Sequence, residues 1–128
     1  VVAGIVKKDE DTINLPIGRE EEKSIKKTVT KNGKEAITKY RVLERYKEAS
    51  LLDVQILTGR SHQIRVHLSY IGHPIIGDTL YHKLSEYIER QALHSYYLKA
   101  KLPRSKEYIE LEAPIPKDIV KLINYYKG

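Results

Sequence analysis

The sequence predicts an α+β fold, mainly antiparallel sheet with a few short helices. Three observations carry this. Residues 38–46 and 51–57 alternate apolar and polar side chains, the two-residue period of half-buried strands. The period then lengthens to that of a helix, where Ile64, Leu68 and Ile71 recur. A second helical stripe, formed by Ile119, Leu122, Ile123 and Tyr126, closes the chain.

Taken in order, residues 1–6 read as a strand and residues 7–12 as a polar turn. Residues 13–17 are short and extended, stopped by Pro16 and Gly18. Residues 24–30 alternate, with Ile25 and Val29 on one face. Lys31-Asn32-Gly33-Lys34 reads as a tight hairpin turn, because Asn-Gly accepts the positive φ angles of such turns. In the long strand that follows, Thr38, Tyr40, Val42 and Tyr46 share one face, with Lys39, Arg41 and Arg45 on the other. The strand at 51–57 sets Leu52, Val54 and Ile56 against Asp53 and Gln55. Three consecutive antiparallel strands are the economical arrangement of these runs.

A helix is expected over 62–71, with Ser61 as N-cap and Gly72-His73-Pro74 as the stop. Residues 84–90 suggest another helical turn. Residues 93–102 return to a strand that puts His94, Tyr96, Leu98 and Ala100 on one face, and 108–113 form a further strand. Pro116 opens the last helix at its first position.

A chain of 128 residues fits one domain, and 41% hydrophobic content supports a modest core. No apolar run approaches the roughly 18–20 residues of a membrane-spanning helix. The apolar start does not read as a secretory leader, since Lys7, Lys8, Asp9 and Glu10 follow at once. Without cysteine there is no disulfide framework and no thiolate metal site. The cytoplasm is the expected location. A net charge of +6 favours a polyanionic partner such as nucleic acid, although the charges are mixed, as where Arg19 meets Glu20, Glu21 and Glu22. The chain opens on Val-Val-Ala-Gly rather than methionine and contains no Met, Phe or Trp. A natural terminus is usually polar and frayed, so residues upstream are expected to be missing.

The densest polar group is residues 58–67, which leave a strand, turn on Gly59 and enter a helix N-terminus. Free backbone N–H groups and the helix dipole make that junction attractive to anions, with Arg60 beside it. Arg65 follows the core-facing Ile64 and therefore sits at the edge of the buried face. There its guanidinium suits a paired hydrogen bond to a carboxylate, although an arginine on a helix is usually a solvated side chain. His62 and His67 diverge by roughly 140° on a helix of about 100° per residue, which is wrong for a shared metal. Adding His73 and Asp78 gives no convincing ligand set, and no metal is expected. His94 reads as a hydrogen-bonded core residue, and Glu110 and Glu112 as a solvent-facing pair.

The stretch from Leu57-Thr58-Gly59-Arg60-Ser61-His62-Gln63-Ile64-Arg65 to Val66-His67-Leu68 resembles a motif of the RluA-type pseudouridine synthases. Ile71-Gly72-His73-Pro74-Ile75-Ile76-Gly77-Asp78-Thr79-Leu80-Tyr81 resembles its continuation. Leu15-Pro16-Ile17-Gly18-Arg19, Gly33-Lys34-Glu35-Ala36-Ile37-Thr38, Leu93-His94 and Ala113-Pro114-Ile115-Pro116 follow the family's order and rough spacing, so the resemblance covers almost the whole chain.

The resemblance implies isomerisation of uridine to pseudouridine in RNA without a cofactor. The nucleotide is turned out of its stack, its N-glycosidic bond is broken, the base is rotated and C5 is joined to the sugar. The family's catalytic aspartate lies in a His-Arg-Leu-Asp motif, a tyrosine on a later strand meets the base, and an arginine pairs with the aspartate. Arg65 matches that arginine. Arg60, His62 and Gln63 match the rest of the motif and are expected to shape the pocket or meet the RNA. The His-Arg-Leu-Asp motif is absent, and none of Asp9, Asp11, Asp53, Asp78 or Asp118 sits in one. Asp78 belongs to the family's Gly-Asp turn, where a structural role is expected.

Residues 1–128 are therefore expected to be the C-terminal portion of a single catalytic domain, inactive alone and lacking the portion with the aspartate motif. The Pro-Ile-Gly-Arg segment points to large-subunit ribosomal RNA over transfer RNA. A dimer through an edge exposed by truncation is the expected self-association. Two rivals stand beside this reading. One is a non-catalytic RNA-binding module of the same fold. The other is a basic domain that binds a protein partner through its strand edges.

Overall fold

The computed structural model describes residues 1–19, 26–101 and 108–128. Its centre is a four-stranded antiparallel sheet of β1 (Val2–Ala3), β2 (Glu10–Asn14), β5 (Ile37–Arg45) and β6 (Ala49–Ile56), in the order β1-β6-β5-β2. The alternation of β5 does what its period predicts, since Thr38 and Tyr40 are buried while Lys39 and Arg41 face solvent. Tyr40 lies opposite Val54 and Arg41 opposite Asp53, until a register shift between Val42 and Glu44 interrupts the pairing.

Two expectations about the sheet fail here. Residues 7–12 are not all turn, because Glu10–Asn14 pairs with β5 from Glu10 opposite Arg41 to Asn14 opposite Ile37. As an edge strand exposed on all but Ile13, β2 needs no apolar alternation and so gave no strand signal. Residues 1–6 form a strand only at Val2–Ala3. Beyond Ala3 the Ser50 hydroxyl takes the place of a ladder partner, accepting from the Val6 N–H and donating to the Gly4 carbonyl.

The expected hairpin at Asn32-Gly33 does not form either. Of the three consecutive strands, the second and third are antiparallel partners as expected, β5 with β6, but the first is not, since β4 (Lys27–Val29) pairs with β3 (Ile17–Arg19) and β2 takes its place against β5. Of the strand expected over 24–30, residues 24 and 25 lie outside the described residues. Gly33 is needed for closeness rather than for a positive φ. A Cβ there would lie 2.5 Å from the Ile17 carbonyl carbon. That approach lets Ile17 and Lys34 exchange two backbone hydrogen bonds of 2.9 Å, locking the β3–β4 hairpin to the chain before β5. A small apolar cluster of Ile17, Ala36 and Val66, with Val29 and Tyr81 packed on it, fastens the same hairpin to the first helix.

That helix, α1 (Gln63–Tyr70), ends before Gly72 as expected. Its N-cap is His62 rather than Ser61, and the His62 side chain makes no bond to the helix's own N–H groups. Residues 84–90 contain no helix, since Ile88 is buried while Leu84 is 80% exposed, so no common apolar face exists. The strand expected over 93–102 is β7 (Tyr97–Lys101), paired with β8 (Tyr108–Glu112) in a separate two-stranded sheet. His94 and Tyr96 precede it, and Leu102 lies outside the described residues. His94 is half-buried beside the Ala113 carbonyl, 3.2 Å from its Nε2, rather than in the core.

α2 (Lys117–Lys127) starts behind Pro116, which occupies the cap rather than the first helical position. Its Ile119, Leu122 and Ile123 join Leu68, Ile75 and Tyr40 in the main core. Full burial of a leucine such as Leu122 contributes roughly 1.5–3 kcal/mol. Arg90 pairs with Asp118 through two hydrogen bonds, tying the 88–93 segment to this helix. No helix among the described residues is long and apolar enough to cross a membrane.

Candidate active site

The turn between β6 and α1 is organised by one buried side chain. Gln63 is 3% exposed, and its amide oxygen accepts from the Thr58 hydroxyl at 2.7 Å and the Arg60 N–H at 3.0 Å. Its amide nitrogen donates to the Ile37 carbonyl and the Thr38 hydroxyl, both at 2.9 Å. Thr58 in turn accepts from the Ile37 N–H. Gln63 therefore welds the end of β6, the start of β5 and the helix entry into one body.

His62 enters α1 with φ 56°, a left-handed conformation that costs a non-glycine residue about 1–2 kcal/mol. This backbone turn carries the imidazole to Tyr81, with Nδ1 2.9 Å from the phenol oxygen and the rings edge to face at 5.7 Å. The Tyr81 oxygen also accepts from the Lys27 N–H at 2.8 Å, so the β3–β4 hairpin shares this anchor. Burial, with help from the Arg65 charge, pushes the His62 pKa below its ordinary value.

Arg65 lies on the next face of α1. Its Nε and Nη2 each donate to one oxygen of Asp78 at 2.8 Å. The Arg65 side chain is 18% exposed and that of Asp78 not at all. Asp78 Oδ1 also accepts from the Leu80 and Tyr81 N–H groups, at 3.1 and 3.3 Å. Burial pushes the Asp78 carboxyl up, but the guanidinium bonds and the two N–H groups together outweigh it and hold the group below the usual carboxylate range. The Arg65 pKa is raised, chiefly by its hydrogen bonds to Asp78. Gly77, with φ +83°, makes the sharp turn that delivers Asp78 beneath the helix. The Tyr81 ring lies under the guanidinium, 5.2 Å from its carbon to the ring centroid.

Arg60, His62 and Arg65 line one cleft of about 280 Å³, floored by Ile56, Ile64 and Leu93. Arg60 also borders a second cleft of about 430 Å³, where Arg19, Lys27 and Lys34 contribute the other cations and, among the described residues, no acidic side chain joins them. Arg60 is fixed there by donating Nε to the Glu35 carbonyl at 2.7 Å. The four residues expected at the site are thus neighbours, and all four border the smaller cleft, Gln63 as the most buried of them. His62 and His67 diverge as their spacing predicts, His62 to Tyr81 and His67 inward to Thr38 and Leu15.

Sequence reasoning left Tyr81 without a role and gave Asp78 to the turn alone. The signal available was an Asp three residues before a Tyr just after a glycine, a spacing at which one carboxylate oxygen can accept backbone N–H groups while the other meets a cation. The contribution of Lys27 and Lys34 depends on the β3–β4 pairing, which no local pattern shows.

The family described as RNA pseudouridylate synthase matches residues 1–70. The chain is 46% identical to the RNA pseudouridine synthase YlyB of Bacillus subtilis over 96% of its own length and 41% of that protein's. To the ribosomal large subunit pseudouridine synthase D of Vibrio cholerae it is 41% identical, covering 86% of the chain and 38% of the relative. The chain thus spans about two fifths of the length of these curated relatives. The structure of human RNA pseudouridylate synthase domain containing 1 superposes with a TM-score of 0.76 at 26% identity, covering 99% of this chain and 63% of that one.

Proposed function

The chain belongs to the RNA pseudouridylate synthase family, of the RluA type, and from that premise we propose that it supplies the arginine wall of a site that isomerises uridine to pseudouridine in RNA. The observation that carries this reading is the Arg65 guanidinium, rigidly held at the rim of a cleft beside a second, cationic cleft. A fixed planar cation is what a reacting carboxylate needs for orientation, and a groove of cations is what a phosphate backbone needs for docking. Arg65 pairs with an aspartate supplied from outside these 128 residues, because no His-Arg-Leu-Asp motif occurs within them. The N1–C1′ bond of uridine breaks, the base rotates, C5 bonds to C1′, and the C5 proton is lost as N1 gains one. No cofactor enters that balance.

Arg60 and His62 face the RNA, and Gln63 acts through the turn that it holds. The RNA is large-subunit ribosomal RNA, which the name of the Vibrio cholerae relative supports. The protein works in the cytoplasm. The missing aspartate motif also favours a second reading, a non-catalytic RNA-binding module of the same fold.

Tritium release from C5-labelled uridine in ribosomal RNA separates these. Release is expected from the whole protein and none from the 128 residues alone. Release by the 128 residues above a no-protein control would overturn the split site. Binding without release by the whole protein would establish the module.

A further inference from the structure

Arg65 already has a carboxylate partner, and the geometry of that pair points beyond a structural bridge. A guanidinium carries five N–H donors in a planar fork. Asp78 takes two of them, Nε–H and one on Nη2, along the side-on edge. Among the described residues, no acceptor meets the other three. Two of them, one on Nη1 and one on Nη2, form the end-on edge, which is itself spaced for a carboxylate. Tyr81 covers one face of the group. One edge and one face are therefore committed, and the group cannot rotate without breaking both contacts. Asp78 is itself immobile, with no exposed side-chain surface and Oδ1 held by the Leu80 and Tyr81 N–H groups.

We propose that Asp78 is a positioning residue for the reaction, which fixes Arg65 through its side-on edge so that the end-on edge receives a second carboxylate in the adjacent cleft. This rests on the reading of the site given above. It adds that the arginine serves two carboxylates at once. Two carboxylates sharing one guanidinium leave the trio with a net negative charge. The incoming carboxylate stays ionised, yet its charge is only partly neutralised, which suits a group that must attack or take a proton.

Asp78→Asn tests this, because the amide preserves shape and the backbone acceptor but forfeits the charged two-point grip on Arg65. In the whole protein, turnover on ribosomal RNA is expected to fall roughly 10²-fold, the scale of a misplacement near 1 Å, with RNA affinity changed by less than about threefold. Asp78→Glu, which restores the charge at the wrong distance, is expected to recover only part of the loss and stands in if Asp78→Asn does not fold. Unchanged turnover in a folded variant would overturn the proposal, as would a loss confined to RNA affinity.

The 128-residue chain supplies a readout independent of activity. Acetate, used as the probe carboxylate, is titrated while the side-chain N–H signals of Arg65 are followed by NMR. Saturable shifts are expected in the native chain and their loss in the variant. Equal shifts in both, or none in either, would overturn the positioning role. An inactive whole protein that retained the native acetate response would refute the proposed reaction and leave the two-edged arginine standing.

Discussion

The Nδ1 of His67 lies 2.8 Å from the Thr38 hydroxyl, while Nε2 of the same ring lies 2.8 Å from the Leu15 carbonyl. A carbonyl only accepts, so Nε2 carries the proton and Nδ1 accepts from Thr38. Thr38 also accepts from Gln63. The ordered chain Gln63–Thr38–His67–Leu15 runs from the site to the loop before β3, and burial favours the neutral imidazole in it.

Stability is therefore expected to depend on pH through His67. Burial pushes its pKa down, outweighing the opposing pull of the Leu15 carbonyl. The unfolded chain then binds a proton near the ordinary value of about 6.5, where the native chain does not. Stability rises with pH through that region and is lost on acidification below it. Thermal midpoints between pH 7.5 and 5.5 should fall with pH in the native chain, and the slope should flatten in His67→Asn. An unchanged slope would show that the imidazole is not the group responsible.

Gln63→Leu is expected to act on stability before it acts on RNA. The substitution strands the Ile37 carbonyl, the Arg60 N–H and the Thr58 hydroxyl, at about 1–3 kcal/mol for each group left buried without a partner. Urea denaturation should show this loss. RNA affinity, measured well below the unfolding midpoint, should stay within a few-fold. A stable variant that had lost RNA binding would return Gln63 to the contact surface.

These two residues also mark where the sequence was readable. The helical period placed α1 within a residue, because Ile64, Leu68 and Ile71 bury one stripe and stripes are local. The position of Arg65 at the edge of that stripe, and its suitability for a carboxylate, followed from the same period. Its partner did not, because Asp78 reaches it only through the turn at Gly77. The edge strand β2 was hidden for the opposite reason, since one buried residue in five leaves no alternation to read. Asn32-Gly33 misled because the glycine answers a close approach by Ile17, a tertiary fact, and not a local demand for positive φ.

The cationic cleft should be visible in the salt dependence of RNA binding. Each phosphate contact to a single strand contributes about 0.7 to the slope of log affinity against log salt. Arg60→Ala and Lys34→Ala should each weaken binding and lower that slope by about this amount, with little change in turnover at saturating RNA. Salt-insensitive binding of the native chain to a protein, with no RNA binding at all, would favour the protein-partner reading instead.

Arg65 is the residue at which fold and chemistry are expected to separate. Arg65→Ala leaves Asp78 buried without its cation, and breaking such a pair typically costs about 3–5 kcal/mol. Without the guanidinium, the burial that pushes the Asp78 carboxyl up is opposed only by the Leu80 and Tyr81 N–H groups, so its pKa rises from the native position. The stability that Arg65 gives to the ionised carboxylate in the native chain is lost as pH falls through the native pKa, so acidification should narrow the gap between the native chain and the variant. Arg65→Lys keeps a charge for Asp78 but has no second planar edge. It should fold with a smaller loss and still lose most turnover in the whole protein, while RNA affinity stays within about threefold. Native turnover in Arg65→Lys would show that charge alone suffices and that the fork geometry is not used.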